Sequence, residues 1–361
     1  MRNLKAILLL ASCLISACDS GSTGPTHART IIALGTIIEI EIIGADKTKA
    51  ERALDEVETF FHEIQRDWYA FGDGELGRAN KALAQGNSVE LSPALAALVR
   101  RSLKLRKLSD GFFDPTVGGL VELWGFDDAE NMRKTPPGEL EIRSWIAELP
   151  ARNSLKIENQ LVSAEGPLKL DFGGIAKGTA LAGAAALLRE TGIDNAIINA
   201  GGDLVVLGIR GNRRWRIGIR DPESNGILGA LALAPGEAIV TSGNYERFFN
   251  VGEQRYHHLL DPHTGQPVNE TASVTVVDFD PELADAAATA LMAAGPKHFR
   301  RIARQMGVEC AILVTTAGEI LMTARMAERI DRSAALRQAW NPAWNMNKTV
   351  NLGEFPAISR V

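Results

Sequence analysis

The sequence predicts a mixed α/β protein of the α+β type. Its 361 residues are 45% hydrophobic, which is enough for a sizeable core in one large domain or two modest ones. Segments with apolar residues at helical spacing occur alongside short β-branched segments over most of the chain. No internal repeat is visible in the sequence.

The first expected elements are strands and a helix. Residues 30–43 are β-branched and partly alternating, and the break at Gly35-Thr36 predicts a strand pair or one bulged strand. Residues 46–67 carry apolar side chains at helical spacing, which predicts a helix over this segment.

A second helix follows at Ser92-Pro93. A serine N-cap with proline at the first helical position is typical of a helix start, and Asp110-Gly111 is expected to end the helix after Ser109. The charged and proline-rich residues 127–139 predict a surface connection, and residues 140–149 a short helix.

The pattern changes to short strands and helices from residue 155 onward. The predicted strands are residues 196–199, 204–207, 215–219, 228–233, 256–260, 274–279 and 310–314. The predicted helices are residues 175–191, 281–294 and 298–305.

A glycine-rich segment joins a short apolar strand to the helix at 175–191. It reads Leu-Asp-Phe-Gly-Gly-Ile-Ala-Lys-Gly-Thr over residues 170–179. Glycine lets a ligand approach the backbone closely, and the unpaired N–H groups at a helix start carry partial positive charge. The segment therefore predicts an anion-binding loop suited to a phosphate.

Two nucleotide-binding motifs are not supported. The glycines and lysine of residues 170–179 do not fit the G-x-x-x-x-G-K-[ST] spacing, which argues against an ATPase. Residues 72–77 satisfy G-x-G-x-x-G, but they follow a helix end instead of a strand, so a Rossmann site is not expected there.

The N-terminus indicates a lipoprotein. Arg2 and Lys5 precede an apolar run that is too short to span a bilayer, and small residues precede Cys18. We expect residues 1–17 to be a signal peptide and Cys18 to be lipidated, with residues 18–29 as a flexible tether; an ordinary secretory signal is the alternative. Asp19 resembles the signal that keeps Gram-negative lipoproteins in the inner membrane, on its periplasmic face.

Charge and cysteine content limit the function further. The net charge is −5, and it becomes −7 once residues 1–17, with two basic and no acidic residues, are removed. Such an acidic protein is a poor general nucleic-acid binder. With Cys18 lipidated, Cys310 has no partner for a disulfide, and its apolar surroundings predict a buried structural thiol.

Several separate blocks occur in one order along the chain. Downstream of the glycine loop they are residues 199–203 (Asn-Ala-Gly-Gly-Asp), 241–247 (Thr-Ser-Gly-Asn-Tyr-Glu-Arg), 256–265 and 285–289. Upstream they are residues 33–36, 74–80, 111–116 and 124–126. In this order and spacing the blocks resemble the ApbE family of flavin transferases. The resemblance covers roughly residues 31–323; we assign residues 30–323 to the transferase domain and 324–361 to a C-terminal extension of unknown role.

The resemblance implies a fold and an activity. The family fold is two-lobed with mixed sheets, and the flavin nucleotide lies in a cleft between the lobes. The implied reaction moves FMN from FAD onto a threonine of a partner protein and releases AMP. The expected acceptor is a periplasmic flavoprotein subunit of a membrane electron-transfer complex. Two alternatives remain: an FAD pyrophosphatase that releases FMN and AMP, and a non-catalytic FAD-binding lipoprotein.

Asp285 and Thr289 are candidate metal ligands. They lie four residues apart on a predicted helix, so both side chains lie on one face. A carboxylate and a hydroxyl are oxygen ligands suited to Mg²⁺, although this pair alone is more typical of a solvated face. The resemblance adds the carbonyl of Gly174 to the Mg²⁺ site and assigns Asp285 a part in catalysis.

His257 and His258 are candidate general bases for the incoming hydroxyl. Histidine titrates near neutral pH, and either residue has the alternative of a core histidine hydrogen-bonded to backbone. On a strand, adjacent side chains point to opposite faces, so the two histidines are not expected to share a zinc ion.

The remaining expected contacts are to FAD. Lys177 is predicted to neutralise pyrophosphate charge, and Asp171 to accept hydrogen bonds from ligand hydroxyls or amines. Tyr69 resembles the family's flavin-stacking position, although the usual Ser-Thr-Tyr is absent there. The other residues that the resemblance places at the cofactor are Leu34, Phe112, Phe113, Asp114 and Leu259.

Overall fold

The structure is a computed structural model that describes residues 24–128, 132–224 and 226–332. Cys18, the expected signal peptide and residues 333–361 lie outside the described residues. The described chain is a mixed α/β fold, as the sequence predicts.

The strands and helices have the following bounds. The strands are β1 Thr26–Ala33, β2 Thr36–Ile43, β3 Val89–Glu90, β4 Lys156–Glu158, β5 Leu161–Ser163, β6 Ala196–Ala200, β7 Asp203–Leu207, β8 Arg216–Arg220, β9 Ile227–Ala232, β10 Ala238–Gly243, β11 Phe248–Val251, β12 Gln254–His257, β13 Thr271–Asp278, β14 Cys310–Thr315, β15 Ile320–Met322 and β16 Asp331–Arg332. The helices are α1 Lys47–Trp68, α2 Glu75–Leu83, α3 Pro93–Leu108, α4 Gly118–Trp124, α5 Glu139–Ala147, α6 Leu149–Asn153, α7 Ala176–Glu190, α8 Pro281–Met306 and α9 Ala324–Arg329.

A large antiparallel sheet organises the described chain. Its strand order is β1-β2-β6-β7-β10-β13-β14-β15, and each neighbouring pair runs antiparallel. Three smaller sheets accompany it: β16-β9-β8, β3-β5-β4 and the β11-β12 hairpin.

The two faces of the main sheet bury different layers. Because side chains alternate along a strand, Val274 and Val276 of β13 join the core beneath α3 and α8, whereas Val277 joins the core beneath the β16-β9-β8 sheet. Helices α1 and α7 cover the β1-β2-β6-β7 end on the same face as α8. The helical face thus carries α7 and α8 side by side.

The long predicted helices form where their caps indicate. The Asp46 side chain accepts a hydrogen bond from the Lys49 N–H at the start of α1, and Ser92 accepts one from the Leu95 N–H at the start of α3. Asp110 and Gly111 follow α3 with positive φ angles of 53° and 82°. Gly35, with φ of 69°, turns the chain between β1 and β2, so the predicted strand pair is confirmed.

The helix that carries Asp285 is kinked. It extends over Pro281–Met306, but within it Gly295 has the non-helical φ of 65° and Pro296 follows directly. The two helices predicted at 281–294 and 298–305 are therefore confirmed as two segments joined by a kink, because proline interrupts the helical hydrogen bonds there.

Several boundaries differ from the sequence predictions. Residues 26–29, expected in the tether, belong to β1, and the strand expected at 256–260 ends at His257. Helices α2 and α4 and strands β10 and β11 were not predicted, because they are short or start at glycine without a side-chain cap.

The start of the C-terminal extension packs on the main fold. Met326 of α9 is buried, and Arg329 pairs with the buried Glu237 at 2.7 Å. The following β16 pairs with β9. Cys310 is buried beside Met326, as expected for a structural thiol, and burial raises the pKa of its thiol to about 11.

In residues 24–128, 132–224 and 226–332, no helix combines the length and the apolar character needed to cross a membrane.

Gly178 sets the distance between α7 and α8, and we expect Gly178→Ala to destabilise the protein. A Cβ atom at this position would lie 2.2 Å from the Pro281 carbonyl oxygen and 2.8 Å from the Asp285 Cβ, so backbone must shift. The expected loss in the free energy of unfolding is about 2 kcal/mol or more. Denaturant unfolding measures it, with the exposed α7 substitution Ala186→Ser as a control that stays within about 0.5 kcal/mol of the parent. Equal stability of both variants would contradict the close helix contact.

Candidate active site

The glycine-rich segment forms a tight turn into α7. Its Asp171 N–H donates to the Pro115 carbonyl at 2.8 Å, and the Gly173 N–H donates to Asp171 Oδ1 at 2.8 Å. A Cβ atom on Gly174 would lie 2.9 Å from Thr289 Oγ1 and 3.0 Å from Thr289 Cγ2. The glycine therefore allows the loop backbone to lie directly against Thr289 of α8.

Asp285 lies one helical turn before Thr289 on the same side of α8. Its side chain is 3% exposed, and Oδ2 accepts a hydrogen bond from the Gly178 N–H at 2.7 Å. In the described part of the chain, Oδ1 receives no hydrogen bond. The three residues assigned to the metal, Gly174, Asp285 and Thr289, are thus brought together where α7 begins.

A second carboxylate faces the site from the main sheet. Asp203, at the start of β7, is 1% exposed; its Oδ1 accepts the Thr241 N–H at 2.9 Å, and its Oδ2 pairs with Lys177 Nζ. Lys177 is the second residue of α7, so one helix start bonds Asp285 through the Gly178 amide and Asp203 through the Lys177 side chain.

Buried charge shifts the pKa values of this group. Burial raises the pKa of Asp285 to about 7, with the negative charge of Asp203 acting in the same direction and Lys177 opposing it. For Lys177, burial acts to lower the pKa, but the charges of Asp203, Asp285 and Glu246 outweigh it and raise the pKa. Lys177 is therefore a permanent cation held among carboxylates.

The oxygen donors fit a small divalent cation. A carboxylate oxygen free of hydrogen bonds, a hydroxyl and a loop carbonyl are hard ligands of the kind Mg²⁺ prefers. Asp203 and Asp285 place two buried carboxylates beside the single ammonium of Lys177, and a cation would balance the remaining negative charge.

His257 is a core histidine. Its side chain is 3% exposed, Nε2 donates to the Val268 carbonyl at 2.5 Å, and Nδ1 accepts the Leu259 N–H at 3.3 Å. Both ring nitrogens are occupied by backbone, and burial lowers the pKa of the imidazole. Of the two interpretations offered by the sequence, this geometry matches the hydrogen-bonded core residue.

His258 lies just after β12 and has a free nitrogen. Its Nδ1 donates to the Arg247 carbonyl at 3.2 Å, and Nε2 has no hydrogen-bond partner within the described residues. Burial, followed by the charge of Arg247, lowers the pKa of His258 to about 3. The ring is consequently neutral at ordinary pH, with the Nε2 lone pair available.

Tyr69 and Asp171 are two further residues that the sequence placed at FAD. The Tyr69 hydroxyl donates to the Asp127 carbonyl at 2.6 Å, and its half-exposed ring packs edge-on to Phe71 at 6.0 Å. Burial raises the pKa of Asp171, while its bond from Gly173 and the charge of Arg247 oppose the shift.

An open cavity of about 630 Å³ lies against Tyr69. It is lined by Gln65, Arg66, Asp67, Tyr69, Gly72, Asp73, Gly74 and Arg78.

Two residues expected to contact FAD have structural side chains instead. Phe113 is buried in the core with α2, α3 and α8. Asp114 is buried as well; its Oδ1 accepts the Thr116 N–H at 2.9 Å and pairs with Arg106 Nε at 3.0 Å. The sequence block 111–116 marked this turn, but it could not show which side chains point inward.

The other expected cofactor residues remain partly accessible. Phe112 packs edge-on to His263, with ring centroids 4.5 Å apart. Leu34 has an unusual positive φ of 53°, and its N–H donates to Gln65 Oε1 at 2.8 Å. Leu259 is half-buried, next to the core.

Sequence analysis did not assign a role to Asp203, Tyr245 or Arg247. All three lie in the blocks 199–203 and 241–247, which carry the family resemblance, so the sequence did mark these segments. Arg220 lies over the Tyr245 ring at 4.8 Å, and the charges of Asp203 and Lys177 act on its phenol. Only the fold, which sets the ends of β7 and β10 beside α7, brings these residues to the site.

The chain is similar in sequence to the members of one protein family. The sequence model of the ApbE family matches residues 34–312. A protein of Rhodobacter capsulatus named FAD:protein FMN transferase is 41% identical over 312 residues, which are 85% of this chain and 59% of that protein. A protein of the same name from Klebsiella pneumoniae is 31% identical, over 87% of this chain and 93% of its own length.

A solved structure agrees with the sequence matches. The crystal structure of the ApbE protein from Thermotoga maritima superposes with a TM-score of 0.77 at 31% identity, over 86% of this chain and all of that one. Since the family match spans most of the chain and the fold is the same, this protein is a member of the ApbE family.

Proposed function

We propose that this protein transfers FMN from FAD to a threonine hydroxyl of a partner flavoprotein and that the transfer depends on Mg²⁺. The names of the relatives support the flavin transfer. The observation that carries the chemistry is the convergence of Lys177, Asp285 and Thr289 at the start of α7, against a loop with exposed glycine backbone.

Binding of FAD relies on the loop and the helix start. Most N–H groups at the start of α7 are already bonded within the fold. The Lys177 ammonium and the positive end of the helix dipole supply positive charge for the pyrophosphate. Asp171 accepts hydrogen bonds from ligand hydroxyls, and Tyr69 offers a half-exposed ring for stacking on the flavin. Asp285, Thr289 and the Gly174 carbonyl would hold Mg²⁺, which neutralises charge that develops on the phosphates.

The transfer step breaks the phosphoanhydride bond of FAD and forms a phosphate ester on the acceptor. The acceptor hydroxyl oxygen attacks the FMN phosphorus, a new P–O bond forms, and the bond to the AMP phosphate breaks, so that AMP leaves. Such catalysis is largely positioning and neutralisation of charge. His258 Nε2 accepts the hydrogen bond of the hydroxyl and takes its proton as the new P–O bond forms. The negative phosphates of bound FAD would act against the burial and the Arg247 charge that lower the pKa of the ring.

The location of the protein is part of the proposal. The sequence pattern at Cys18 favours a lipid anchor on the periplasmic face of the inner membrane, with a flavoprotein subunit of a membrane electron-transfer complex as acceptor. Because β1 begins at Thr26, residues 19–25 provide a reach of at most about 25 Å from the anchor. The fold would then remain close to the membrane that holds the acceptor.

Flavin transfer is tested by incubating the protein with FAD, Mg²⁺ and a candidate acceptor, followed by intact-protein mass spectrometry. We expect the acceptor to gain the mass of FMN, and Asp285→Ala to lower the rate by about 10²-fold or more, because one strong transition-state contact is lost. Glu282→Gln, one turn away on α8, is the control. Free FMN without a modified acceptor would indicate an FAD pyrophosphatase. Tight FAD binding without turnover would indicate a non-catalytic FAD-binding lipoprotein. Full activity of Asp285→Ala would disprove the metal assignment.

The two histidines are expected to separate in their effects. His258→Ala removes the free Nε2 and should lower kcat by about 10²-fold or more while FAD binding and thermal stability stay near the parent values. His257→Ala breaks two buried hydrogen bonds and should lower the melting temperature instead. Rates, FAD affinity and thermal unfolding distinguish the variants; a stable His257→Ala with low kcat, beside a fully active His258→Ala, would reverse the assignment.

Membrane attachment is expected to depend on Cys18 alone. Cys18→Ser should move the protein from the membrane fraction to the soluble fraction and leave the rate of flavin transfer in vitro unchanged, since the anchor supplies location only. Fractionation after a salt wash measures the distribution. Retention of Cys18→Ser in the washed membranes would contradict the lipoprotein proposal.

A further inference from the structure

Asp203 is the most deeply buried charge of the site, and its two oxygens have different partners. Oδ1 accepts the Thr241 N–H from β10 at 2.9 Å, which fixes the carboxylate on the main sheet. Oδ2 pairs with Lys177 Nζ and receives no other hydrogen bond within the described residues. The Asp203 carboxylate is thus held by a backbone hydrogen bond on one oxygen and paired with a single lysine through the other.

Lys177 has a second carboxylate within electrostatic range. The charges of both Asp203 and Asp285 act on the ammonium, but among the described residues the ion pair forms with Asp203, and Nζ lies beyond ion-pair distance of Asp285. Asp285 is bonded through Oδ2 to the amide of Gly178, the residue next to Lys177. The lysine side chain therefore leaves the start of α7 in the direction of the sheet, away from the Asp285 Oδ1 atom.

A lysine stem is flexible, with rotatable donors at its end. Without the Asp203 charge, the strongest remaining acceptor near Nζ is the Asp285 carboxylate, which is buried with one oxygen free of hydrogen bonds. An ammonium there would compete with a divalent cation, because two positive charges at one buried carboxylate oxygen repel each other.

We propose that Asp203 is a positioning residue: by pairing with Lys177 Nζ, it holds the ammonium away from Asp285 and keeps that carboxylate open for a divalent cation. The proposal rests on the proposed function, because it takes Asp285 as the metal ligand.

Two simpler explanations must be separated from this one. Asp203 could only support the local fold, in which case its loss would weaken metal binding whether or not Lys177 is present. Alternatively, its negative charge could attract the metal through the general field, and the effects of changing Asp203 and Lys177 would then be additive. Competition by the released lysine predicts instead that the effect of Asp203 depends on Lys177.

The test is a double-mutant cycle on Mn²⁺ binding, measured by electron paramagnetic resonance on the full protein without FAD. Mn²⁺ is a paramagnetic probe for an oxygen-ligand site of this kind. The variants are Asp203→Asn, Lys177→Met and the pair together. We expect Asp203→Asn to raise the Mn²⁺ dissociation constant by about 10-fold or more when Lys177 is present, and by less than about 3-fold in the Lys177→Met background. A crystal structure of Asp203→Asn should show Lys177 Nζ paired with Asp285.

Glu237→Gln is the matched control. Glu237 is also a buried carboxylate in a salt bridge, with Arg329 at 2.7 Å, but the pair lies away from the site. We expect this variant to lose stability without any change in Mn²⁺ affinity. Thermal unfolding of every variant identifies those that are folded. The Mn²⁺ dissociation constants are compared only among folded variants.

Equal effects of Asp203→Asn in both lysine backgrounds, or no effect in either, would overturn the proposal. Failure of the proposed function gives a different result. If parent and variants follow the expected Mn²⁺ pattern but no acceptor gains FMN, the positioning role stands and the transferase assignment falls. If the parent protein and Asp285→Ala bind Mn²⁺ equally, Asp285 is not the ligand and the positioning role is disproved with it.

Discussion

The contact between α7 and α8 at Gly178 is the constraint on which the site depends. Because residue 178 has no side chain, the start of α7 approaches Pro281 and Asp285 closely enough for its amide to bond the Asp285 carboxylate at 2.7 Å. The same approach sets Gly174 against Thr289. Packing between two helices therefore decides where Asp285 and Thr289 lie, and the glycines serve close contact as much as flexibility.

Three charged side chains lie near this helix contact, although burial disfavours the charged form of each. Asp203 and Asp285 are both almost fully buried, and Lys177 lies between them in the field of both. Buried carboxylates without enough positive charge are costly, which is the reason that the pKa of Asp285 rises to about 7. Two buried carboxylates beside one lysine leave net negative charge in this part of the fold.

His257 and His258 illustrate how neighbouring residues acquire different roles. As β12 ends, His257 turns inward, where Val268 and Leu259 occupy both ring nitrogens. His258 bonds Arg247 through Nδ1 alone and retains a nitrogen for chemistry. The alternation of side chains along a strand predicted that the two rings would separate, but it could not predict which one would be buried, because that depends on segments distant in sequence.

The sequence by itself determined the class of fold, the long helices with their caps at Asp46 and Ser92, the glycine loop and the family resemblance, since these depend on local spacing and local hydrogen bonds. Helical spacing also selected Asp285 and Thr289 as a pair, to which the family resemblance added Gly174. Tertiary structure decided that Phe113 and Asp114 turn inward and that Asp203 faces Lys177. These outcomes depend on side-chain direction and on contacts between segments far apart in the chain, such as β7, β10 and α7, which no local pattern encodes.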